Sequence, residues 1–271
     1  MTNINEIMEA MAKEGYTMEA IEVIKNGTEL KGYTFKKEGY NIAPTLYDIE
    51  GKSIQELIDQ VNNLYKTLPH NFNAKKYLSI EHFKQNATAC LQKPGHEDIV
   101  KKDFLDMEEY IRLVVESDRE GMGSIKIKAE HLEVIGLSIE EAFKYAEENA
   151  KADAESEGIL EVMAKLGMDI DTLPLDAPQM IILSNKNRVN GASAILNTDK
   201  IKAICKQYHA KGCYILPSSI HECIIHTDAD IDNKTIYDEM VNNVNTTVVT
   251  DAEILSNHSY YFDADTMKFI Y

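Results

Sequence analysis

The dipeptide Asn26-Gly27 is the feature of this sequence that most restricts its fold. Asn-Gly favours the two-residue turn of a β-hairpin, because both central residues of that turn take positive φ angles. With this turn, Val23 faces Leu30 on one side of the hairpin. On the other side Glu22 faces Lys31, so an apolar face lies opposite a salt-paired one. The turn therefore predicts an antiparallel sheet with one buried face near the start of the chain.

Helix starts are equally clear in the sequence. The segments Ser53–Glu56 and Ser138–Glu141 have the Ser-x-x-Glu spacing of a capping box, in which two side chains satisfy the first backbone groups of a helix. Apolar residues at helical spacing follow both segments. Further elements are predicted as helices over 79–92, from Thr198 and from Lys234, and as strands over 110–115, 124–128, 192–196, 260–262 and 268–271.

Hairpins and helices thus alternate along the chain, and no glycine-rich strand-to-helix loop interrupts them. This order predicts an α+β fold, with antiparallel or mixed sheets built from hairpins and with helices packed on the sheet faces. A run of small and charged residues over 151–157 predicts a boundary. It divides the chain into an N-terminal lobe, 1–152, and a C-terminal lobe, 158–271, which are either two similar lobes or parts of one compact domain.

The net charge of −17 is the main constraint from composition. It opposes the phosphate backbone of nucleic acids and disfavours direct binding to them, whereas a basic protein partner would be attracted. No basic leader and no apolar run of membrane-spanning length is present, so we expect a cytoplasmic protein without a membrane partner. Scattered cysteines in apolar surroundings fit a reducing compartment, and they are Cys90, Cys205, Cys213 and Cys223.

The segment 215–227 holds the densest cluster of reactive side chain types. It is predicted as a strand, a Pro-Ser-Ser turn and a second strand that carries His221 to His226. A hydrolase would use Ser218 or Ser219 as the nucleophile and His221 as the base, with Glu222 as a further candidate. Neither serine lies in a G-x-S-x-G pattern, which favours the alternative that the serines satisfy turn backbone groups.

The same segment suggests a metal site only weakly. His221 and His226 are five residues apart and would point to opposite faces of the predicted strand, whereas helical zinc motifs need a spacing of four. His221 and Cys223 share a face and could supply two ligands, with His209 or Cys213 as a third. Nothing in the spacing requires this arrangement, so the sequence predicts no metal and no cofactor.

The loop 184–193 is the second candidate site. Asn and Ser side chains and the glycine backbone at the mouth of a sheet offer hydrogen-bond donors and acceptors to a ligand, although a plain hairpin connection would use the same residue types. The candidate binding residues are Ser184, Asn185, Asn187, Arg188, Asn190 and Ser193.

Three motifs carry a resemblance to a known family. They are Asn-Ile-Ala-Pro-Thr-Leu-Tyr at 41–47, Leu-Ser-Asn at 183–185 followed by Gly-Ala-Ser at 191–193, and Ile-Leu-Pro-Ser-Ser-Ile-His-Glu at 215–222. With these motifs the chain resembles an uncharacterised bacterial family, a domain of unknown function from anaerobic gut bacteria and their mobile elements. The resemblance implies a single intracellular unit and residence on mobile elements. It implies no activity.

These observations leave three hypotheses on function. The leading one is a non-enzymatic interaction or regulatory protein, in its sharpest form a mobile-element antagonist whose acidic surface occupies a basic, nucleic-acid-binding site on a host protein. The second is a hydrolase or metal-dependent enzyme centred on Ser218, Ser219, His221 and Glu222. The third is a small-molecule sensor with a cavity between the lobes. A homodimer is compatible with all three, because the final strand, 268–271, is predicted at a sheet edge.

Overall fold

The structure is a computed structural model that describes residues 3–47, 49–117, 122–165, 167–168, 180–227 and 233–270. Within these residues, thirteen strands form three antiparallel sheets, and helices pack on the sheet faces. The predicted α+β class is confirmed. Tyr271, the predicted last residue of the final strand, lies outside the described residues.

The first sheet has the order β1-β2-β3 and packs against two helices. Its elements are α1 (Ile4–Lys13), β1 (Tyr16–Lys25), β2 (Thr28–Lys37), β3 (Thr45–Leu46) and α2 (Ile54–Thr67). The capping box predicted at Ser53 and Glu56 is present and starts α2. Apolar side chains of both helices and of the sheet form one core cluster around Met11, Phe35 and Leu57.

The register of the first hairpin is the predicted one. Val23 lies opposite Leu30, and Glu22 lies opposite Lys31. The Lys31 Nζ to Glu22 Oε1 distance is 3.1 Å. Asn26 has a φ of 49° and Gly27 has a φ of 70°, as the two-residue turn requires.

The middle sheet is built on the long strand β6, which pairs with β4 along one edge and with β5 and β7 along the other. The elements of this region are α3 (Ile80–Asn86), β4 (Ala87–Gln92), β5 (Lys101–Phe104), β6 (Met107–Ser117), β7 (Met122–Lys126), α4 (Ala129–Ile135) and α5 (Ile139–Asp153). The helix predicted over 79–92 is therefore wrong beyond Asn86. Pairing of β4 with β6 over six residues outweighs the local helical pattern there.

The third sheet has six strands in the order β13-β12-β10-β11-β9-β8. The elements of this region are β8 (Ala154–Gly158), α6 (Ile159–Lys165), β9 (Met180–Asn185), a 3-10 helix (Gly191–Leu196), α7 (Thr198–Gln207), β10 (Gly212–Leu216), β11 (Cys223–His226), α8 (Lys234–Thr247), β12 (Tyr260–Asp263) and β13 (Lys268–Ile270). The 3-10 helix and α7 bury apolar side chains with this sheet in the largest core cluster.

Two predictions in this region are wrong. Residues 192–196 form a 3-10 helix and no strand, because only Gly191 and Ala192 bond to a neighbouring segment, at the carbonyls of His221 and Ile220. The predicted strand through His221 begins only at Cys223, so His221 and Glu222 lie in the connection before it. The helix predicted from Thr198 is present as α7, and the side chain of Asn197 caps it by accepting a hydrogen bond from the Lys200 amide.

The predicted boundary, 151–157, forms the end of α5 and most of β8. Strand β8 pairs with β9 and so belongs to the third sheet. The division into two lobes stays a prediction. None of the described helices has both the length and the apolar character needed to cross a membrane.

Candidate functional site

The two faces of the middle sheet differ in character. One face, here called the helix face, packs against α3 and α5 with the fully buried side chains of Ala87, Ala89, Ile111 and Leu113. The opposite face, here called the cleft face, carries polar side chains. Its residues, taken from the alternation along β4, β6 and β7, are Thr88, Cys90, Gln92, Tyr110, Arg112, Val114, Ser124 and Lys126.

Two cavities lie over the cleft face. The larger, here called the hairpin chamber, has a volume of about 620 Å³ and lies between the cleft face, the β1–β2 hairpin and the segments around His221 and Glu253. The smaller, here called the asparagine chamber, has a volume of about 340 Å³. Its lining includes Asn86, Asn149, Asn185 and Asn187. Arg112 lines both chambers and so marks the centre of the cleft.

Arg112 is half-buried at this centre. Its Nε and Nη2 atoms donate hydrogen bonds to Ser124 Oγ, over 3.1 Å and 2.6 Å. In the described part of the chain no carboxylate forms a salt bridge with this guanidinium. A neutral hydroxyl thus positions Arg112, and no carboxylate of the described residues compensates its charge by a salt bridge.

Two other cations near the cleft face have anionic partners. Lys126 Nζ lies 2.5 Å from Glu97 Oε2 and donates a further hydrogen bond to Gln92 Oε1 over 3.1 Å. Lys186 Nζ lies 3.2 Å from Asp153 Oδ1 at the rim of the asparagine chamber. Arg112 therefore differs from both lysines in its electrostatic environment.

Cys90 lies on the cleft face beside Arg112 and Tyr110, with 1% of its surface exposed. Burial raises the pKa of its thiol to about 11, and the opposing effect of the Arg112 charge is smaller. The thiol is therefore protonated at neutral pH and is a poor nucleophile.

His221 lines the hairpin chamber, and both of its ring nitrogens have partners. Nδ1 accepts a hydrogen bond from the Asn190 amide over 3.2 Å, and Nε2 lies 3.4 Å from Glu253 Oε1. The amide contact requires an unprotonated Nδ1, which places the proton of the neutral ring on Nε2, toward Glu253. In this arrangement neither nitrogen is free to accept a proton from a substrate.

The candidate serines do not contact the imidazole of His221. Ser219 Oγ accepts a hydrogen bond from the backbone amide of His221 over 3.1 Å, which closes the turn before β11. Ser218 and Glu222 are half-buried and lie outside the walls of the two chambers. The structure thus brings His221 together with Glu253, and not with the serines.

Two of the three sequence motifs interlock below the cleft. Ser184 Oγ donates a hydrogen bond to the His221 carbonyl over 2.8 Å, and the Gly191 amide donates to the same oxygen over 3.0 Å. A Cβ atom at Gly191 would overlap Ser184 Oγ and lie 2.6 Å from the Asn185 amide nitrogen. The Leu-Ser-Asn and Gly-Ala-Ser segments therefore fix the position of His221.

The remaining candidates of this loop have different surroundings. Asn185 bonds to the backbone of Val189 through both side-chain atoms, over 2.9 Å and 3.2 Å, and so closes its own loop. Arg188 pairs with Glu157 over 2.6 Å, away from the cleft. Ser193 is buried, whereas Asn187 lines the asparagine chamber and Asn190 lines the hairpin chamber.

The candidate metal ligands are separated. Cys223 is fully buried, its Sγ lies 3.8 Å from the Ala192 carbonyl oxygen, and burial raises the pKa of its thiol well above the ordinary value. Cys213 contacts Cys205, and His209 is exposed at the end of α7. Across the described ranges, no three His, Cys, Asp or Glu side chains come together as metal ligands.

Several residues of the cleft are not recognisable as site residues from the sequence. Arg112 lies within the apolar run of β6. Lys126 lies within a strand of alternating apolar and basic residues, where a basic residue indicates only that one face of the strand is exposed to solvent. Glu253 follows Thr250 at a helix-cap spacing, and Thr250 Oγ1 does donate to Glu253 Oε2 over 2.9 Å. The only available signal was thus the polar character of alternate strand positions.

Comparison with known proteins identifies the family. A family model matches residues 1–264 of the 271-residue chain. The chain belongs to the family of unknown function DUF5688. Membership of DUF5688 confirms the resemblance to a domain of unknown function that the motifs indicated, while the bacterial and mobile-element context stays a prediction. No curated protein and no solved structure matches the chain.

Proposed function

We propose that this member of DUF5688 is a binding protein that holds a small molecule in the cleft between its three sheets. The observation that carries the proposal is the pair of chambers, of about 620 Å³ and 340 Å³, that share Arg112, a cation without a carboxylate partner among the described residues. Cavities of roughly 300–1,000 Å³ with a few convergent polar groups are typical of small-molecule sites. Among the three hypotheses from the sequence, this one corresponds to the small-molecule sensor.

The way in which the hairpin is held supports a sensing role. Asn26 Nδ2 donates to the carbonyls of Ala252 and Ile254 over 3.0 Å and 2.6 Å, and Asn26 Oδ1 accepts from the Lys93 amide over 2.7 Å. One side chain thus joins the first hairpin to the middle sheet and to the segment that carries Glu253. A ligand in the hairpin chamber would contact all three parts and stabilise their arrangement.

The geometry supports the hydrolase hypothesis less. A serine nucleophile needs a base within hydrogen-bond reach of its Oγ atom. The contact at Ser219 runs instead from the His221 backbone amide, and both ring nitrogens of His221 have other partners.

The net charge of −17 favours a second function, that of an acidic interaction or regulatory protein. In its sharpest form this protein is a mobile-element antagonist of a basic, nucleic-acid-binding host protein. A pull-down from host lysate tests it, because retention of basic proteins should weaken as salt rises. Retention that is independent of salt would argue against this function.

Native mass spectrometry of protein purified from its own host tests the binding function. We expect a bound small molecule that is lost on denaturation. Val189→Trp should reduce its occupancy, because Val189 lines the asparagine chamber and is partly exposed, so that an indole can enter the cavity from the loop. The matched control is Val134→Trp on α4, an exposed position outside both chambers.

Two results would contradict the binding function. One is a bare chain that no compound of a metabolite library stabilises against heat. The other is a bound molecule whose occupancy is the same in Val189→Trp, Val134→Trp and the unchanged protein.

A further inference from the structure

We infer that the ligand carries an anionic group, a carboxylate or a phosphate, and that the guanidinium of Arg112 binds this group from the asparagine chamber. The inference rests on the proposed binding function and names the class of ligand. Its first support is electrostatic. A half-buried charge is costly unless it is paired, yet the partners of Arg112 among the described residues are neutral groups, the hydroxyl of Ser124 and the thiol of Cys90.

A comparison of Arg112 with neighbouring cations strengthens this electrostatic argument. Lys126 is neutralised by Glu97 and Lys186 by Asp153. The sequence has three arginines, and Arg188 pairs with Glu157. Carboxylates are abundant in a chain with a net charge of −17, yet none of the described ones pairs with Arg112, so this cation is available to an external anion.

The geometry of the guanidinium gives the second support. Arginine has five N–H donors in a rigid planar fork. Ser124 Oγ accepts from the Nε side, at 3.1 Å from Nε and 2.6 Å from Nη2. Cys90 is a further hydrogen-bond partner of the guanidinium, so two of the five donors, on the Nη edge, remain for a ligand. This edge matches the two oxygens of a carboxylate or a phosphate in a bidentate contact.

The charged residues that line the two chambers indicate which chamber would hold the anionic group. Lys25, Lys126, Glu97 and Glu253 line the hairpin chamber. Glu97 pairs with Lys126, and Lys25 Nζ lies over the Tyr47 ring, so Glu253 is the carboxylate that would repel an anion there. The lining of the asparagine chamber includes one carboxylate, Asp153, and Lys186 already pairs with it over 3.2 Å. The other polar lining residues there are neutral, and Asn187 and Gln85 offer amide donors to the uncharged part of the ligand.

The first experiment observes the arginine side chains directly in the full chain. Their Nε–Hε signals are recorded by nitrogen–proton NMR while sodium acetate or sodium phosphate is added, with sodium chloride at matched ionic strength as the control. We expect acetate, phosphate or both to shift the signal that disappears in Arg112→Lys. The anion with the larger effect shows whether the site prefers a carboxylate or a phosphate. If the Arg112 signal stays in place at concentrations that shift the signal of the exposed Arg188, the inference is wrong.

Variants test the same point on the molecule that copurifies with the protein. Arg112→Gln should weaken its binding about tenfold or more, because a charge-assisted bidentate contact is lost. Arg112→Lys keeps the charge and loses the fork, so we expect an intermediate loss. Lys186→Gln changes another cation of the same chamber and should alter binding by less than about twofold, since Asp153 already neutralises it.

The outcomes separate the inference from the proposed function. A molecule that binds equally well to Arg112→Gln, or that is not an anion, overturns the inference and leaves the binding function in place. An equal loss in Lys186→Gln also overturns it, because general charge attraction would then explain binding. If Arg112→Gln does not fold, Ser124→Ala is measured in its place. The inference is contradicted if Ser124→Ala binds the molecule as well as the unchanged protein does and the Arg112 Nε–Hε signal does not shift with acetate or phosphate.

Discussion

The helix face and the cleft face of the middle sheet come from the same strands and face different surroundings. On the helix face, Ile111 and Leu113 are fully buried among apolar side chains. On the cleft face, Arg112 and Thr88 are only half-buried, although the first hairpin and the loop 185–190 lie over them. A closely packed interior leaves few voids larger than a water molecule. This difference agrees with the proposal that the cleft face holds an occupant, whereas the helix face contributes to stability.

The largest effect is expected from a truncation on the helix face. Ile111→Ala should lower the free energy of unfolding by about 4 kcal/mol, because it removes buried methyl groups and leaves a cavity under α5. Val114→Ala on the cleft face should cost less than about 1 kcal/mol, since this side chain borders an existing cavity. Urea unfolding of both variants measures the difference. Equal losses would remove the distinction between the two faces.

Glu109 is the charged exception on the helix side, and its pH dependence sharpens the comparison. Burial raises the pKa of its carboxyl to about 7, which the attraction of Lys102 only partly offsets. The folded state then binds more protons than the unfolded state between the ordinary pKa of 4.5 and about 7, so stability falls as pH rises through this window. Glu109→Gln should abolish that fall and gain on the order of 3 kcal/mol above pH 7.

Unfolding in urea at pH 5 and pH 8 checks this prediction. Glu108→Gln is the matched control on the opposite face, where Lys101 Nζ lies 2.8 Å from the Glu108 carboxylate. This control should lose stability at pH 8, because an ion pair is broken. A Glu109→Gln variant that is no more stable than the unchanged protein at pH 8 would show that the buried carboxylate is well compensated.

A smaller effect is expected where the hairpin covers the cleft face. Asn26→Gly keeps the positive φ of the turn and removes the three side-chain hydrogen bonds to Lys93, Ala252 and Ile254. We expect a loss of about 2 kcal/mol and faster hydrogen exchange in β1 and β2. Asn26→Ala should cost more, since alanine also strains the turn. Unchanged exchange in the hairpin would show that other contacts hold it.

The smallest effect is expected from Ser124→Ala, which removes the hydroxyl that positions Arg112. The guanidinium can then turn toward water, so the stability should change by less than about 1 kcal/mol while ligand binding weakens. Thermal unfolding with and without the copurified molecule separates the two effects. A large loss of stability would mean that this pair belongs to the core and not to a binding site.

The sequence predicted local features well and the site poorly. The Asn26-Gly27 turn and the Ser53 cap depend on neighbours a few residues away, and both are confirmed. The strand predicted over 192–196 is wrong, because contacts with His221, distant in sequence, decide its conformation. The cleft depends on three sheets meeting, so Arg112 gave no local signal. The motif around His221 does lie where several segments of the chain meet. The contacts that His221 forms there are hydrogen bonds within the protein.

The contacts of Asn26 have a consequence for how the chain folds during synthesis. The hairpin needs only neighbouring residues and can form as soon as they leave the ribosome. The carbonyls that Asn26 binds lie 226 and 228 residues further along the chain. Until that late segment emerges, the turn has no partner there, and the cleft stays open on one side. Completion of the cleft therefore waits until residues 252–254 have been synthesised, and a chain that ends before Ala252 would keep the hairpin and lack this closure.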